Sequence, residues 1–419
     1  MSGPDITTTP SATEAAASAG TRGDRLERIG GQLLALLVSF VIAVALGALL
    51  IVAYGESPTG VYGAILRSSL GSADGFGYVL ANATPLIFSA LAVAVAFKGG
   101  LFNIGVEGQY LVGMVTASWA AVSLPGLPGP ILVVAVLLAG VLGGMVWAAI
   151  PGILKVATGA HEVVTTIMLN QIAISLLAWA LNYPLRFSNA PAGQNVDLRT
   201  DEFPETALIG DMGSLFDITP GAHLSWLLLL GVAAAILVWF LIRRTRLGFE
   251  ARAVGSSPGS ARAGGISIGA TQLRLFLISG ALAGLVGMQQ ILADKGYLGT
   301  NYVAQLGFTG IAVAFLGQNN AIGIIGAAIV WGILGRGETA LQIETDVPRE
   351  FIIILQGILI LVVVITYQIA KRRLAARQLQ RAAAAGDAAV PRSPSGSAGP
   401  GGAGEPKQQP VDRLDGEER

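Results

Sequence analysis

The chain has 419 residues, of which 53% are hydrophobic and 12% are charged, and its formal net charge is zero. A soluble domain carries about 25% charged residues, so this composition excludes an ordinary soluble globular protein. The balanced charge provides no overall positive field for nucleic acid, and the absence of cysteine excludes disulfides and Cys-ligated metal sites. We therefore expect an all-α, polytopic membrane protein.

The amino-terminal residues 1–28 are predicted to be a disordered cytoplasmic tail, because most of them are Ser, Thr, Ala, Gly or Pro without periodicity. The apolar run Leu33–Val52 follows three arginines. This run is about 20 residues long, which is too long for the apolar core of a signal peptide, and no clear cleavage site follows it. We interpret it as an uncleaved first span that starts in the cytoplasm.

Nine further apolar runs predict about ten transmembrane helices in total. Their approximate bounds are 81–97, 104–122, 131–150, 163–181, 224–242, 275–292, 306–316, 321–334 and 351–367. Pro151 is expected to end the fourth span, and residues 336–350 are expected to form a charged loop. The runs 306–316 and 321–334 suit either two tilted spans or a pair of half-helices. A short interfacial helix is predicted around Gly60–Ser69.

The positive-inside rule supports an even number of spans, because Lys and Arg concentrate in cytoplasmic loops. With ten spans, the loop 151–162, the basic loop 243–274 and the cluster Lys371–Arg373 all fall inside the cell, and the acidic connection 183–222 falls outside. The membrane domain is thus predicted to cover 29–370. Residues 371–419 form a basic and then disordered cytoplasmic tail, so both ends of the chain are cytoplasmic.

No constellation of residues indicates an enzyme. The chain contains neither a Gly-x-x-x-x-Gly-Lys-Ser/Thr phosphate-binding loop nor a His-Glu-x-x-His motif. His161 and Glu162 are adjacent and do not share a helix face, so an interfacial His beside a helix-start Glu is favoured over a metal site. We expect a transport protein without a catalytic site, cofactor or metal.

Residues 96–110 interrupt the apolar pattern with Lys98, Asn103, Glu107 and Gln109 among four glycines. Polar groups at membrane depth usually face a protein interior or a water-filled path, so Asn103, Glu107 and Gln109 are the first candidates for a substrate path. Glu107 has a structural alternative, which is to pair with Lys98 or to bind backbone where the helix breaks. If residues 98–110 re-enter the membrane, Lys98 and Glu107 would pair at depth; otherwise Lys98 stays at the inner interface.

Further path candidates are Asn82, Thr84 and Phe97 in the second span, Phe102 in the break that follows it, and Asn170 and Gln171 in the fifth span. Phe97 and Phe102 suit either stacking on an aromatic ligand or simple packing. For Asn170, hydrogen bonding between helices is favoured over contact with a ligand.

The basic loop 243–274 is the second informative stretch, and Gly255–Pro258 is predicted to form a turn between two short helices. Its candidate functional residues are Glu250, Arg252, Gly255, Ser257, Pro258, Ala261, Arg262 and Gly265. On composition alone, an ordinary solvated loop is favoured over a docking element for a soluble partner.

The segments Phe97–Gln109, Glu162–Asn170 and Leu306–Asn320 resemble motifs of ABC transporter permeases of the branched-chain amino acid and simple-sugar type. The resemblance is closest to the nucleoside branch, which works with a BMP-type lipoprotein, and it covers about 33–367. Residues 253–266 resemble the coupling segment of that family. The departures from the usual coupling pattern are Ser257 in place of Asn, and Gly259, Ser260 and Gly264.

The resemblance implies a permease subunit that forms the path for nucleosides or simple sugars in an importer of the bacterial cell membrane. An ATP-binding subunit would dock around 248–266 and hydrolyse the ATP, and a second permease, identical or related, would complete the pore. A substrate-binding lipoprotein would deliver the cargo to the loops 54–80 and 183–222. A branched-chain amino acid permease is the alternative within the family, and an ion-gradient-driven secondary transporter is the alternative of another class.

Overall fold

A computed structural model of the chain describes residues 37–188, 198–344 and 351–363, together with 365, 366 and 369. The predicted tails 1–28 and 371–419 lie outside the described residues. The helices are α1 Leu37–Tyr54, α2 Pro58–Leu70, α3 Ala73–Lys98, α4 Val106–Ser123, α5 Gly129–Thr158, α6 Glu162–Asn182, α7 Leu227–Arg244, α8 Arg246–Ser256, α9 Pro258–Ala263, α10 Ile268–Ala283, α11 Leu306–Leu316, α12 Ala321–Glu344 and α13 Phe351–Val363.

Six of these helices are long and apolar enough to cross a membrane, namely α1, α3, α5, α6, α7 and α12. Three shorter apolar helices, α10, α11 and α13, accompany them. This arrangement confirms the all-α, multi-pass membrane fold. Each of the ten predicted apolar runs overlaps one helix, although the number that crosses the bilayer stays a prediction.

The expectation that Pro151 ends the fourth span is wrong, because α5 continues through it to Thr158. Proline removes one backbone donor from a helix, but membrane helices tolerate this where neighbouring helices cover the site. Both Pro151 and Gly152 are buried, and Gly152 packs against Leu273 and Phe276 of α10. The helix ends instead at Gly159, whose φ of 72° suits a glycine.

The expectation of a charged loop after the ninth apolar run is also wrong for its first part, because α12 extends to Glu344. Residues 345–350 lie outside the described residues. Leu341 is fully buried in a cluster with Ile65 of α2 and Phe351 of α13, and the Arg336 guanidinium lies 4.2 Å from the Tyr78 ring centroid. Packing of this apolar face therefore extends the helix through a charged stretch.

Helix α3 lies at the centre of the molecule. In its most apolar window 83% of the residues are buried, against 22% to 39% in the other five long helices. It packs against α7, α10, α11 and α12. Because α3 lies at the centre, segments at both ends of the bundle pack against it, and α3 acts as their scaffold.

Glycines bring α4, α5 and α10 into close contact. A Cβ on Gly144 of α5 would lie 2.7 Å from the backbone nitrogen of Gly284, and a Cβ on Gly113 of α4 would lie 2.8 Å from the Gly284 Cα atom. Small residues at such crossings let helix backbones approach closely. The three helices therefore form a tightly packed unit beside α3.

The two ends of the bundle carry different segments. At one end, here called the coupling end, Gly100 after α3 packs against Gly255 of α8. At the other, the loop end, the Thr219 N–H donates to the Asp74 carboxylate at 2.6 Å, and Arg199 pairs with Gly299 as an isolated bridge. The sequence predicts that the coupling end lies in the cytoplasm and the loop end outside, and this orientation stays a prediction.

Candidate functional site

The amino termini of two helices, α4 and α11, meet inside the bundle. One oxygen of the Glu107 carboxylate accepts a hydrogen bond from the Gln305 N–H at 2.7 Å, and the other accepts from the Gly307 N–H at 2.8 Å. The first N–H groups of a helix lack partners within the helix, and negative charge is favourable there. Glu107 in the first turn of α4 thus caps α11.

The chain that leads into α11 is held by two neighbouring side chains. The Tyr110 hydroxyl donates to the Val303 carbonyl at 3.0 Å. Gln290, in a π-helical turn at Gln289–Asp294, accepts from the Val303 N–H at 2.9 Å. These contacts position Gln305, whose φ of 68° is unusual for a residue other than glycine.

Asn103 anchors the segment between α3 and α4. Its Nδ2 group donates to the Ser279 hydroxyl at 2.8 Å and to Gln109 at 3.0 Å, and the Ser279 hydroxyl donates to the Ala92 carbonyl at 2.7 Å. Ala92 lies six residues before Lys98, which is about 9 Å along a helix. The segment after Lys98 therefore re-enters the bundle before α4 begins.

Asn170 of α6 caps the first turn of α4. Its Oδ1 atom accepts from the Gly108 N–H at 2.8 Å, and its Nδ2 group donates to the Ile104 carbonyl at 3.1 Å. Both contacts are buried or partly buried. The asparagine makes the interhelical hydrogen bonds that its position within an apolar span favoured.

Neither geometry predicted for residues 98–110 holds in full. The segment re-enters the bundle, but Lys98 stays at the coupling end, where it lines a cavity with Arg243 and Arg252. Glu107 instead binds backbone at the start of α11, which is the second of its two structural alternatives. Among the described residues, no lysine pairs with this carboxylate.

A cavity of about 820 Å³ extends from the loop end toward the start of α11. We call it the loop-end chamber. Its polar lining side chains include Asn82, His223, Gln289, Gln290, Gln305 and Thr309, and its aromatic ones are Tyr78, Phe308 and Trp331. The volume falls within the range of about 300–1,000 Å³ that is usual for small-molecule sites.

The charged groups of the loop-end chamber lie along its lining at His223, Asp294 and Glu338. The His223 Nε2 atom lies 3.4 Å from the Asp294 Oδ1 atom. Among the described residues, no group of three or more His, Asp or Glu side chains is arranged to hold a metal ion. The chamber is therefore suited to a ligand bound by amides, hydroxyls and aromatic surface.

Of the nine path candidates, Asn82 lines the loop-end chamber. Asn103, Glu107, Gln109 and Asn170 are buried in the hydrogen-bond network around the start of α4. The remaining candidates lie elsewhere: Thr84 donates to the Leu80 carbonyl, Gln171 is exposed on α6, and Phe97 and Phe102 pack against Phe315.

Several lining residues were missed by reasoning from the sequence. Gln289 and Gln290 are adjacent polar residues inside the seventh apolar run, and that interruption was a usable signal. Gln289 accepts from the Ser225 hydroxyl at 2.7 Å and donates to the His223 carbonyl at 2.6 Å. Gln305 and Thr309 carry no comparable signal, because only the fold brings the start of α11 to the chamber.

At the coupling end, α8 and α9 flank the predicted turn. Thr245 and Ser257 cap the two helices through their side-chain oxygens. Glu250 is buried and pairs with Arg246 at 2.8 Å and with Arg274 at 3.7 Å. These contacts fix α8 on the bundle.

The outer surface of this pair of helices is exposed. Arg252 donates to the Ile242 carbonyl yet remains exposed, and Arg262 and Pro258 are exposed on α9, while Ala261 is buried. Gly265, with a φ of 78°, follows α9. Phe249, which the sequence analysis did not single out, is 59% exposed on α8. An exposed aromatic beside two cations is suited to contact with another protein.

The chain is similar to a family described as branched-chain amino acid transport system / permease component, which matches residues 75–364. It is 36% identical over 344 residues to the guanosine ABC transporter permease protein NupP of Bacillus subtilis, covering 81% of this chain and 94% of that protein. It is 33% identical to the nucleoside ABC transporter permease protein NupB of Lactococcus lactis, covering 79% and 90%.

A third relative has a different cargo in its name. The chain is 32% identical over 335 residues to the glucose ABC transporter permease protein TsgB13 of Haloferax volcanii, covering 78% of this chain and 85% of that protein.

Proposed function

The chain belongs to the family of branched-chain amino acid transport system permease components, and from that premise we propose that it forms the translocation path for nucleosides in an ATP-binding-cassette importer. It is a multi-pass membrane protein, and we place it in the bacterial cell membrane. It is a transport subunit and not an enzyme. ATP hydrolysis would be supplied by a partner.

The side chains that line the loop-end chamber are the main reason for proposing a nucleoside as the cargo. A nucleoside is a neutral polyol joined to an aromatic base, so its site needs amides and hydroxyls together with flat apolar surface. Asn82, Gln289 and Thr309 supply the first kind of group, and Phe308 and Trp331 supply the second. The nucleoside permeases NupP and NupB, which are among its relatives, support the same choice.

An amino acid fits the loop-end chamber less well. Its carboxylate would require a cation or a set of N–H donors, and among the described residues that line the chamber none is Lys or Arg. The N–H groups at the start of α11 are occupied by Glu107. A simple sugar remains the second candidate, because the same amides would bind its hydroxyls and one relative is a glucose permease.

Four of the other path candidates have a positioning role in this proposal. Glu107, Asn103, Gln109 and Asn170 hold the starts of α4 and α11, and thereby place Gln305 and Phe308 at the inner end of the chamber. Asn82 is the candidate that contacts cargo directly.

Three partners complete the proposed importer. An ATP-binding subunit would dock on the exposed surface formed by Phe249, Arg252, Pro258 and Arg262, and a binding lipoprotein would dock at the loop end. A second permease, identical or related, would complete the pore. Because α8 packs against α3 and α10, movement of the docked subunit would reach the scaffold helix of the chamber, in the manner of rigid-body switching.

Uptake by reconstituted vesicles tests the proposal. The chain is incorporated with its partner subunits, and ATP-dependent uptake of labelled guanosine, glucose and leucine is measured with and without an ionophore. We expect guanosine uptake that requires ATP and survives the ionophore. Uptake of glucose or leucine alone would overturn the cargo, and uptake that needs an ion gradient and no ATPase subunit would overturn the transporter class.

A further inference from the structure

A second cavity, of about 550 Å³, lies at the coupling end between α3, α7, α8 and the first turn of α12. We call it the coupling-end cavity. It is lined by Lys98, Arg243 and Arg252, here called the three cations, and by the amides of Gln318 and Asn319. The transport proposal assigns no ligand to it.

The three cations have no neutralising partner in the described part of the chain. Among the described residues, no carboxylate forms an ion pair with any of them, and the nearby Glu250 is already paired with Arg246 and Arg274. Because Lys98, Arg243 and Arg252 line the same cavity, their like charges repel one another. Like charges gathered around a cavity with low-dielectric walls create a strong attraction for anions.

Two amides in the same cavity lack hydrogen-bond partners. Among the described residues, Gln318 Nε2 and Asn319 Oδ1 are buried and unpaired, although most buried polar atoms are satisfied. Both residues also have positive φ angles, 56° and 52°, which non-glycine residues rarely adopt and which cluster at functional sites. The Gln318–Asn319 turn is therefore a strained part of the cavity wall.

The walls of the cavity combine anion-binding and apolar surface. The first turn of α12, at Ala321, adds the positive end of a 24-residue helix. Leu91, Val238 and Ile324 form an apolar wall beside the Trp239 ring. A small inorganic anion would leave most of this space unfilled, whereas an anion that carries an organic group would occupy both parts.

We infer that the coupling-end cavity binds a phosphate monoester, with the three cations on the phosphate and the apolar wall on the organic group. Arginine and lysine are the residues that bind phosphate most strongly. The same chemical group is carried by a soluble organic phosphate and by the headgroup of phosphatidic acid. The inference goes beyond the proposed function, and it does not depend on the identity of the cargo.

Direct binding to the full-length chain tests the inference. The protein is placed in nanodiscs of phosphatidylcholine and titrated with AMP, with adenosine as the matched uncharged probe. We expect saturable binding of AMP that depends on the three cations, whereas any adenosine bound in the loop-end chamber should be unaffected by their substitution. Lys98→Gln and Arg243→Gln should each weaken AMP binding at least about tenfold, the loss of one charge-assisted hydrogen bond, while Arg243→Lys should retain most of it.

The matched control is Arg244→Gln, which removes the neighbouring exposed arginine that does not line the cavity. It should bind AMP as tightly as the unmodified chain. If Arg244→Gln weakens AMP binding as much as Arg243→Gln, or if Lys98→Gln and Arg243→Gln leave AMP binding unchanged, the cavity is not a phosphate site and the inference fails.

A second experiment, with phosphatidic acid, distinguishes the two sources of the phosphate group. Nanodiscs containing phosphatidic acid are compared with phosphatidylcholine alone, and retained lipid is counted by native mass spectrometry. Retention of phosphatidic acid that is lost in Lys98→Gln and Arg243→Gln, but not in Arg244→Gln, would identify the headgroup as the ligand. If neither AMP nor phosphatidic acid binds, the inference is wrong, while the proposed transport function, measured separately by uptake, stands.

Discussion

Glu107 and Gly307 are 200 residues apart in the sequence, yet a carboxylate oxygen of Glu107 accepts the Gly307 N–H at 2.8 Å. The contact requires a residue without a side chain, because a Cβ on Gly307 would lie 2.7 Å from the Glu107 Cα atom. The starts of α4 and α11 are thus joined by a charge-assisted hydrogen bond at the inner end of the loop-end chamber.

Removal of the Glu107 carboxylate should destabilise this junction. We expect Glu107→Leu to lower the free energy of unfolding by roughly 3 kcal/mol or more, since two buried N–H groups lose their acceptor. Glu107→Gln keeps one acceptor oxygen and the side-chain shape, so it should fold and transport better than the leucine variant. Thermal unfolding in detergent and nucleoside uptake measure both effects.

The control for this pair is Glu202→Leu, which removes a 73% exposed carboxylate at the loop end. An exposed ion pair contributes about 0–1 kcal/mol, so this variant should behave almost as the unmodified chain. Full transport and unchanged stability in both Glu107 variants would show that the carboxylate has no role at the junction.

Asn82 should affect cargo affinity and leave stability unchanged. It is exposed on α3 and lines the loop-end chamber, so Asn82→Leu removes an amide at nearly constant size. We expect the KM for nucleoside uptake to rise about tenfold, the value of one hydrogen bond to a ligand, with little change in maximal rate.

The matched control is Asn182→Leu, which changes an exposed amide at the end of α6 outside the chamber. Its KM should stay within about twofold of the unmodified value. Equal KM values for the two variants would show that Asn82 does not contact the cargo.

Charge reversal on the exposed surface of α8 and α9 should weaken docking of the ATP-binding subunit and so break the link between ATP hydrolysis and uptake. We expect Arg252→Glu and Arg262→Glu together to reduce both transport and stimulated ATPase activity at least about tenfold, because like charges across an interface oppose association. Phe249→Asp should act in the same direction by removing an exposed aromatic anchor. Pull-down of the ATP-binding subunit and ATPase assays provide the measurements.

Arg186→Glu makes the same change on an exposed arginine in the 183–188 segment after α6. It should leave ATPase stimulation intact. Survival of both stimulation and uptake in the double arginine variant would reject this surface as the docking site.

The helices were largely predictable from the sequence, because apolar runs long enough for a membrane are a direct signal of burial in lipid. The errors arose where tertiary packing overrides local preference. Pro151 carries a strong helix-breaking signal, but the cover provided by Leu273 and Phe276 depends on a helix more than a hundred residues away. The extension of α12 past Arg336 depends likewise on α2 and α13.

Only the polar residues of the candidate site, and not their contacts, could be predicted from the sequence. The polar stretch around Asn103 and Glu107 is visible in the sequence as a break in an apolar pattern. Its partners are not visible, since Glu107 binds backbone N–H groups of Gln305 and Gly307 and backbone groups leave no mark in a sequence. The same reasoning explains why Gln305, at the chamber, was missed.

The close crossing of α5 and α10 leads to a prediction that depends on a single methyl group. A Cβ at Gly144 would lie 2.7 Å from the Gly284 nitrogen, whereas one at Gly326 of α12 would have no atom within 4 Å. We expect Gly144→Ala to lower the free energy of unfolding by about 1–3 kcal/mol, because the backbones must separate to admit the methyl group.

Gly326→Ala should be neutral or stabilising by up to about 1 kcal/mol, the difference in helix propensity between the two residues. Both variants make the same chemical change within a helix, so their difference isolates the crossing from propensity. The difference is measured by the melting temperature and by the monodisperse fraction after detergent extraction. If Gly144→Ala were as stable as Gly326→Ala, the two helices would have room to spare at Gly144, and the tight unit of α4, α5 and α10 would not be a source of the fold's stability.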